Sequence, residues 1–174
     1  MKLAYNNWDM GEPGILFWDR IQNWNMLSEY PNFQYAGVNP CAEEPLPAGG
    51  SCLLGSLNLA EFVTESGDFD FDALADATFT ATIALNDVLD EGLPLHPLQI
   101  QRDSVHDWRQ IGLGVFGIAD MLIKMGVRYG SKESLDLCDV IAKYILNYSV
   151  MASATLAANN GKAFPKYDRN RTMQ

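Results

Sequence analysis

At 174 residues the chain has single-domain length and is long enough to bury one sizeable core. Its 48% hydrophobic and 20% charged residues suit a globular protein, and it has no run of 18 or more apolar residues and no apolar stretch in Met1-Lys2-Leu3-Ala4-Tyr5, so neither a membrane span nor a signal peptide is predicted and a soluble cytoplasmic protein is expected. A net charge of −10, from 22 acidic and 12 basic side chains, opposes a polyphosphate backbone and excludes nucleic acid as a partner of the whole chain, though not a single nucleotide held on backbone N–H groups.

In chain order, residues 13–28 are predicted as a helix. Pro13 suits the first helical position, Ile15, Trp18, Ile21, Gln22 and Asn25 recur at 3–4 spacing, and Pro31 closes the segment. Across residues 33–50, Pro40, Pro45 and Pro47 interrupt any helix, and Gly37, Gly49 and Gly50 add loop character, so an extended or looping stretch is expected. Residues 52–59 are apolar and short enough for a buried strand. Residues 70–91 are predicted as an amphipathic helix, with Asp70 as N-cap and Phe71, Leu74, Ala75, Thr78, Ala81, Thr82, Leu85, Val88 and Leu89 on its stripe. Residues 95–107 are expected as loop and short helix.

A second helix is predicted over residues 108–125, with Ile111, Val115, Ile118, Leu122 and Met125 on one face and Gly126 at its end. A third long helix starts at a Ser131 cap and runs towards Gly161, roughly 45 Å. Its buried side is expected at Leu135, Cys138, Ile141, Ile145, Tyr148, Ala152 and Thr155.

Gly112-Leu113-Gly114-Val115-Phe116-Gly117 satisfies the dinucleotide pattern Gly-x-Gly-x-x-Gly, but His106-Asp107-Trp108-Arg109-Gln110 before it lacks strand alternation. Close helix–helix packing is the expected use of these glycines. The cysteines, Cys41, Cys52 and Cys138, are odd in number and form no Cys-x-x-Cys pair, which speaks against a disulfide framework. His96 and His106 are too far apart for one helical turn, so no metal site is expected. Cys138 is expected in the core.

The chemistry-bearing stretch is Asn39-Pro40-Cys41-Ala42-Glu43, which sets an amide, a thiol and a carboxylate at alternate positions. In an extended chain these share one face about 6–7 Å apart, and Pro40 biases Asn39 towards extended backbone. The three groups would then reach one small substrate together.

The wider context of this stretch resembles ribonucleotide reductase catalytic subunits. Asn39-Pro40-Cys41-Ala42-Glu43-Glu44-Pro45-Leu46, followed by Ser51-Cys52-Leu53-Leu54-Gly55-Ser56-Leu57-Asn58-Leu59, is similar to their finger-loop region. Gly11-Glu12-Pro13-Gly14-Ile15-Leu16-Phe17-Trp18-Asp19-Arg20 before it and Trp108–Asp120 after it fit the same family in the same order. The fold this implies is an α/β one: a mostly helical part of a ten-stranded barrel, in which residues 1–174 form a single partial domain.

The resemblance further implies that Cys41 becomes a thiyl radical and abstracts the 3′ hydrogen of a ribonucleotide. Glu43 would be the general base on the 3′ hydroxyl, Asn39 would hydrogen-bond the ribose, and Cys52 would be one of two reducing thiols. Proline before the radical cysteine is more like the adenosylcobalamin-dependent reductases than those served by a metal-cofactor radical subunit, with the cobalamin expected outside this chain. In the family the second reducing cysteine lies upstream of the finger loop, and no remaining cysteine here matches it; that cysteine and the later barrel strands, beyond Arg171-Thr172-Met173-Gln174, are expected from remaining segments of the reductase, with a thioredoxin-type protein as reductant. Alternatives are a stand-alone thiol redox protein using Cys41 and Cys52, or a non-catalytic interaction module.

Overall fold

A computed structural model describes residues 2–172; Met1, Met173 and Gln174, named above at the chain ends, lie outside the described residues. The elements run α1 (Lys2–Met10), α2 (Trp18–Asn23), β1 (Tyr35–Val38), β2 (Pro45–Pro47), β3 (Leu53–Asn58), α3 (Phe71–Gly92), α4 (Gln99–Trp108), β4 (Ile111–Phe116), α5 (Ile118–Met125), α6 (Lys132–Asn159) and α7 (Arg169–Thr172). Short 3-10 turns at Leu59–Phe62 and Leu93–Leu95 flank α3.

The helix expected over 13–28 is confined to α2. Asn25 explains its early end: its side chain accepts from Leu27 N at 2.9 Å, and its backbone carbonyl accepts from Ser28 N, so local turns replace the helical ladder. The apolar side chains Ile15, Leu16, Phe17 and Trp24 stay exposed, leaving the segment without the packing that short helices need.

Within residues 33–50 the chain makes a hairpin. β1 and β2 pair antiparallel through Tyr35↔Pro47, Gly37↔Leu46 and Val38↔Pro45, with a register irregularity between Tyr35 and Gly37. Pro45 and Pro47 are tolerated because β2 is an edge strand.

The strand expected at 52–59 is β3, and the helix at 70–91 is α3, whose Asp70 carboxylate accepts from Ala73 N at 2.9 Å. The helix expected over 108–125 is corrected. Its first half is β4, paired parallel to β3 from Leu53↔Ile111 to Asn58↔Phe116, and only its second half, α5, is helical. Arg109 takes a left-handed conformation (φ 50°) that ends α4 and turns the chain into the strand. β3, α3 and β4 thus form a parallel crossover unit.

α3 packs against one face of this strand pair, where Gly55 lets Leu85 approach: a Cβ at Gly55 would lie 3.3 Å from Leu85 Cδ2. On the other side α3 meets α6, with the Phe71 and Tyr144 rings 4.8 Å apart. Leu59, Leu74, Met121, Leu122 and Ile141 form the buried cluster that joins these elements.

α6 begins where expected, with Ser131 Oγ accepting from Ser134 N at 3.2 Å. Its buried side falls on Ser134, Ile141 and Ala152, whereas Leu135, expected inside, is 63% exposed. By length and composition alone α6 could cross a membrane, its best 18-residue window having mean hydropathy 1.2. The lack of an unbroken apolar run predicts no span, whereas α6 meets the length and mean hydropathy of one. Among the described residues the strands make two two-stranded sheets and close no barrel.

Candidate active site at the hairpin tip

The turn between β1 and β2 is built by Asn39. Its backbone N donates to Glu44 O at 3.3 Å, and its side-chain Oδ1 accepts from Glu44 N at 3.0 Å, closing the base of the loop. Ala42 N donates to Asn39 O at 3.0 Å, which folds Asn39–Ala42 into a β-turn with Pro40 at its preferred second position. Ala42 then adopts φ 65°, reversing the chain towards Glu44. Asn39 Nδ2 also donates to Glu43 Oε1.

Cys41 stands exposed at the apex, Glu43 is exposed, and Asn39 is half-buried. The structure therefore gathers the three predicted residues within one turn, by a different geometry from the extended alternation read from their spacing. Asn39 and Glu43 meet because a tight turn folds residue i back towards i+4, and Cys41 projects from the bend between them.

An aromatic group fixes the foot of the hairpin. Phe33 packs edge-on to Trp108 at 4.8 Å and to Tyr35 at 5.4 Å, and Tyr30 packs on Trp108 at 5.9 Å. Trp108 is the last residue of α4, so the hairpin is referenced to the turn that launches β4. Arg109 anchors that turn to α3, donating to Asp90 at 2.7 and 2.8 Å and to Asn86 at 2.7 and 3.3 Å. The hydrogen bond from Arg109 holds the Asp90 carboxyl below the usual carboxylate range, against some opposing burial.

Cys52, just before β3, lies under the hairpin. A Cβ built on Gly112 would sit 2.5 Å from Glu44 Oε1, 2.7 Å from Leu54 Cδ2 and 3.3 Å from Cys52 Sγ. On the sheet face away from α3, Gly112 thus leaves a notch that Glu44 and Cys52 occupy. Gly114, next on the same face, lies beside Ser56, with 3.4 Å from its Cβ position to Ser56 Oγ. The glycines of the Gly-x-Gly-x-x-Gly stretch therefore serve a strand beside the site, correcting the expected helix–helix packing. Gly117 is different again, capping α5 at φ 75° against Asn58.

Burial, a hydrogen bond to the Glu44 carboxylate and the negative charges of Glu44 and Glu43 push the Cys52 thiol up to about 12. Burial, then the charge of Glu44, also raises the Tyr35 phenol. All three cysteines are free thiols, with Cys138 half-buried on α6. Glu44 and Gly112 are the site residues that sequence reasoning missed. The available signal was the alternation of Ile111, Leu113 and Val115 with glycines, which marks a strand with one bare face.

A parallel crossover unit with a cysteine-tipped hairpin over its open face defines a class of α/β protein that presents a loop-borne thiol beside a sheet. A family model described as ribonucleotide reductase, barrel domain, matches residues 1–174, and the chain belongs to that family. It is 37% identical over 160 residues to a vitamin B12-dependent ribonucleoside-diphosphate reductase of Thermoplasma acidophilum, covering 92% of this chain and 20% of the relative. A Mycobacterium tuberculosis protein of the same description is 34% identical over 161 residues, covering 92% and 22%. The ribonucleoside-diphosphate reductase large subunit of African swine fever virus is 30% identical over 163 residues, covering 90% and 21%. The chain thus spans about a fifth of the length of these curated relatives.

Proposed function

We propose that this chain supplies the radical-bearing hairpin and part of the substrate pocket of a ribonucleotide reductase catalytic subunit, which converts ribonucleoside di- or triphosphates to 2′-deoxyribonucleotides. The observation that carries this reading is the hairpin tip: an exposed thiol at the apex, with the Asn39–Glu43 pair folded into the same turn. As a thiyl radical, Cys41 takes the 3′ hydrogen of the ribose, its exposed apex leaving the sulfur open to a substrate. Glu43 takes the 3′ hydroxyl proton and so helps the 2′ hydroxyl leave as water. Asn39 holds Glu43 through one amide hydrogen and keeps the second for the ribose or its radical. Cys52 is one of two reducing thiols, the second coming from the remaining segments of the reductase.

The names of the Thermoplasma and Mycobacterium relatives support adenosylcobalamin as radical source, with a metal-cofactor radical subunit as the alternative. The described residues do not fit the cobalamin itself. Neither the cavity of about 240 Å³ lined by Ser51, Leu53, Val88, His96, Val105 and Gln110 nor that of about 440 Å³ beside Val63, Glu65 and Lys124 exceeds the roughly 300–1,000 Å³ of pockets for drug-sized ligands, and a corrinoid is far larger, so the reading places the cofactor in the remaining segments. A cytoplasmic setting and a thioredoxin-type reductant complete the reading.

The test is single turnover of a 3′-deuterated ribonucleotide by the reductase assembled with this chain. Slower product formation than with the 3′-protonated substrate is expected, and equal rates under conditions where chemistry limits would contradict the reading.

A further inference from the structure

We propose that Glu44 is a positioning residue for Cys52: the two side chains meet in the notch left by Gly112, where the Glu44 carboxylate faces and orients the Cys52 sulfur. The geometry comes from two separate parts of the chain. Glu44 is fixed by Asn39 at the base of the turn, through bonds to both its backbone N and its backbone O. Cys52 is fixed by the start of β3, which pairs with β4 at Leu53↔Ile111. Gly112 of β4 lies against both groups, with 2.5 Å from its Cβ position to Glu44 Oε1 and 3.3 Å to Cys52 Sγ, so a larger residue would occupy the place where they meet.

The charged groups acting on Cys52 are Glu44 and Glu43 of the hairpin; β4 carries no charged residue, and the Glu44 charge also reaches Tyr35 of β1. The negative charge beside the sulfur disfavours thiolate, and the hydrogen bond favours the S–H form. A cysteine kept in this state retains the hydrogen that a reducing thiol must deliver, and it resists alkylation or premature exchange, both of which need thiolate. The inference deepens the reading of Cys52 as a reducing thiol and rests on it for its purpose, but the pairing can be tested without any nucleotide chemistry.

The experiment is the pH dependence of iodoacetamide alkylation of each cysteine in the 174-residue chain, read by peptide mass spectrometry. In the unsubstituted chain the Cys52 rate is expected to show no inflection near the ordinary thiol value and still to be rising at about pH 10. An inflection near the ordinary thiol value of about 8.5 overturns the proposal. Glu44→Gln is expected to raise the Cys52 rate at about pH 8 by about tenfold while leaving Cys138 unchanged, and Glu44→Asp, which keeps the charge, to stay nearer the unsubstituted rate. A Cys52 profile unmoved by Glu44→Gln overturns the proposal, as does an equal rise at Cys138, which would mean general loosening. Deoxynucleotide formation does not enter these readouts, so a failure here is distinguishable from a failure of the reductase reading.

Discussion

Single residues decide the shape of the site more than any periodicity does. Asn39 uses its backbone N, its carbonyl and both ends of its amide inside one turn, and the identity of the triplet was legible in the sequence because its residue types and order are distinctive. Its geometry was not legible, because the same spacing puts i and i+4 on one face of an extended chain or folds them into contact in a tight turn, and the choice is made by Asn39 side-chain bonds and the φ 65° of Ala42. Gly112→Ala puts a methyl where Glu44, Leu54 and Cys52 already sit. It is expected to lower stability in urea unfolding by less than the roughly 1–3 kcal/mol usual for overpacking a core, because the nearest atoms, Glu44 Oε1 and Leu54 Cδ2, end flexible side chains that can swing away. Asp90 gives a pH prediction. Its folded-state pKa lies below its unfolded value of about 3.9, so its pairing with Arg109 stabilises the fold above that value and is lost as pH falls through the lower one. Acid unfolding of Asp90→Asn is therefore expected to depend less on pH below about 4 than that of the unsubstituted chain.

At the scale of elements, α3 and α6 were readable because long amphipathic stripes and Asp70 and Ser131 caps agree with one another. β4 was misread for a physical reason: Ile111, Val115 and Ile118 match a helical stripe, while Ile111, Leu113 and Val115 match a strand equally well. Pairing with β3 settles the ambiguity, and that contact lies far away in sequence. The same distance hid Glu44, whose partner becomes visible only when β3 and β4 are side by side. The cap and the core of α3 can be tested separately. Asp70→Ala is expected to cost about 1 kcal/mol, by loss of the bond to Ala73 N. Leu74→Ala, at a fully buried position against α6 and α5, is expected to cost about 2–5 kcal/mol by thermal or denaturant unfolding.

For the whole molecule, the sheet face away from α3 is the informative surface. Leu54, beside Cys52 under the hairpin, is 57% exposed on it, and Phe116, at the far end of β4, is 54% exposed. That is the face a barrel interior would enclose, and it is where the finger-loop resemblance, the family match and the hairpin geometry coincide. Enclosure would exclude water from Cys41 and strengthen the interaction of Glu43 with a ribose hydroxyl. The central claim is that Cys41 carries the radical chemistry, and its most direct test is 2′-deoxynucleotide formation by the reductase assembled with this chain carrying Cys41→Ser. Loss of turnover with ribonucleotide binding retained is the predicted result; turnover at the unsubstituted rate would contradict the account.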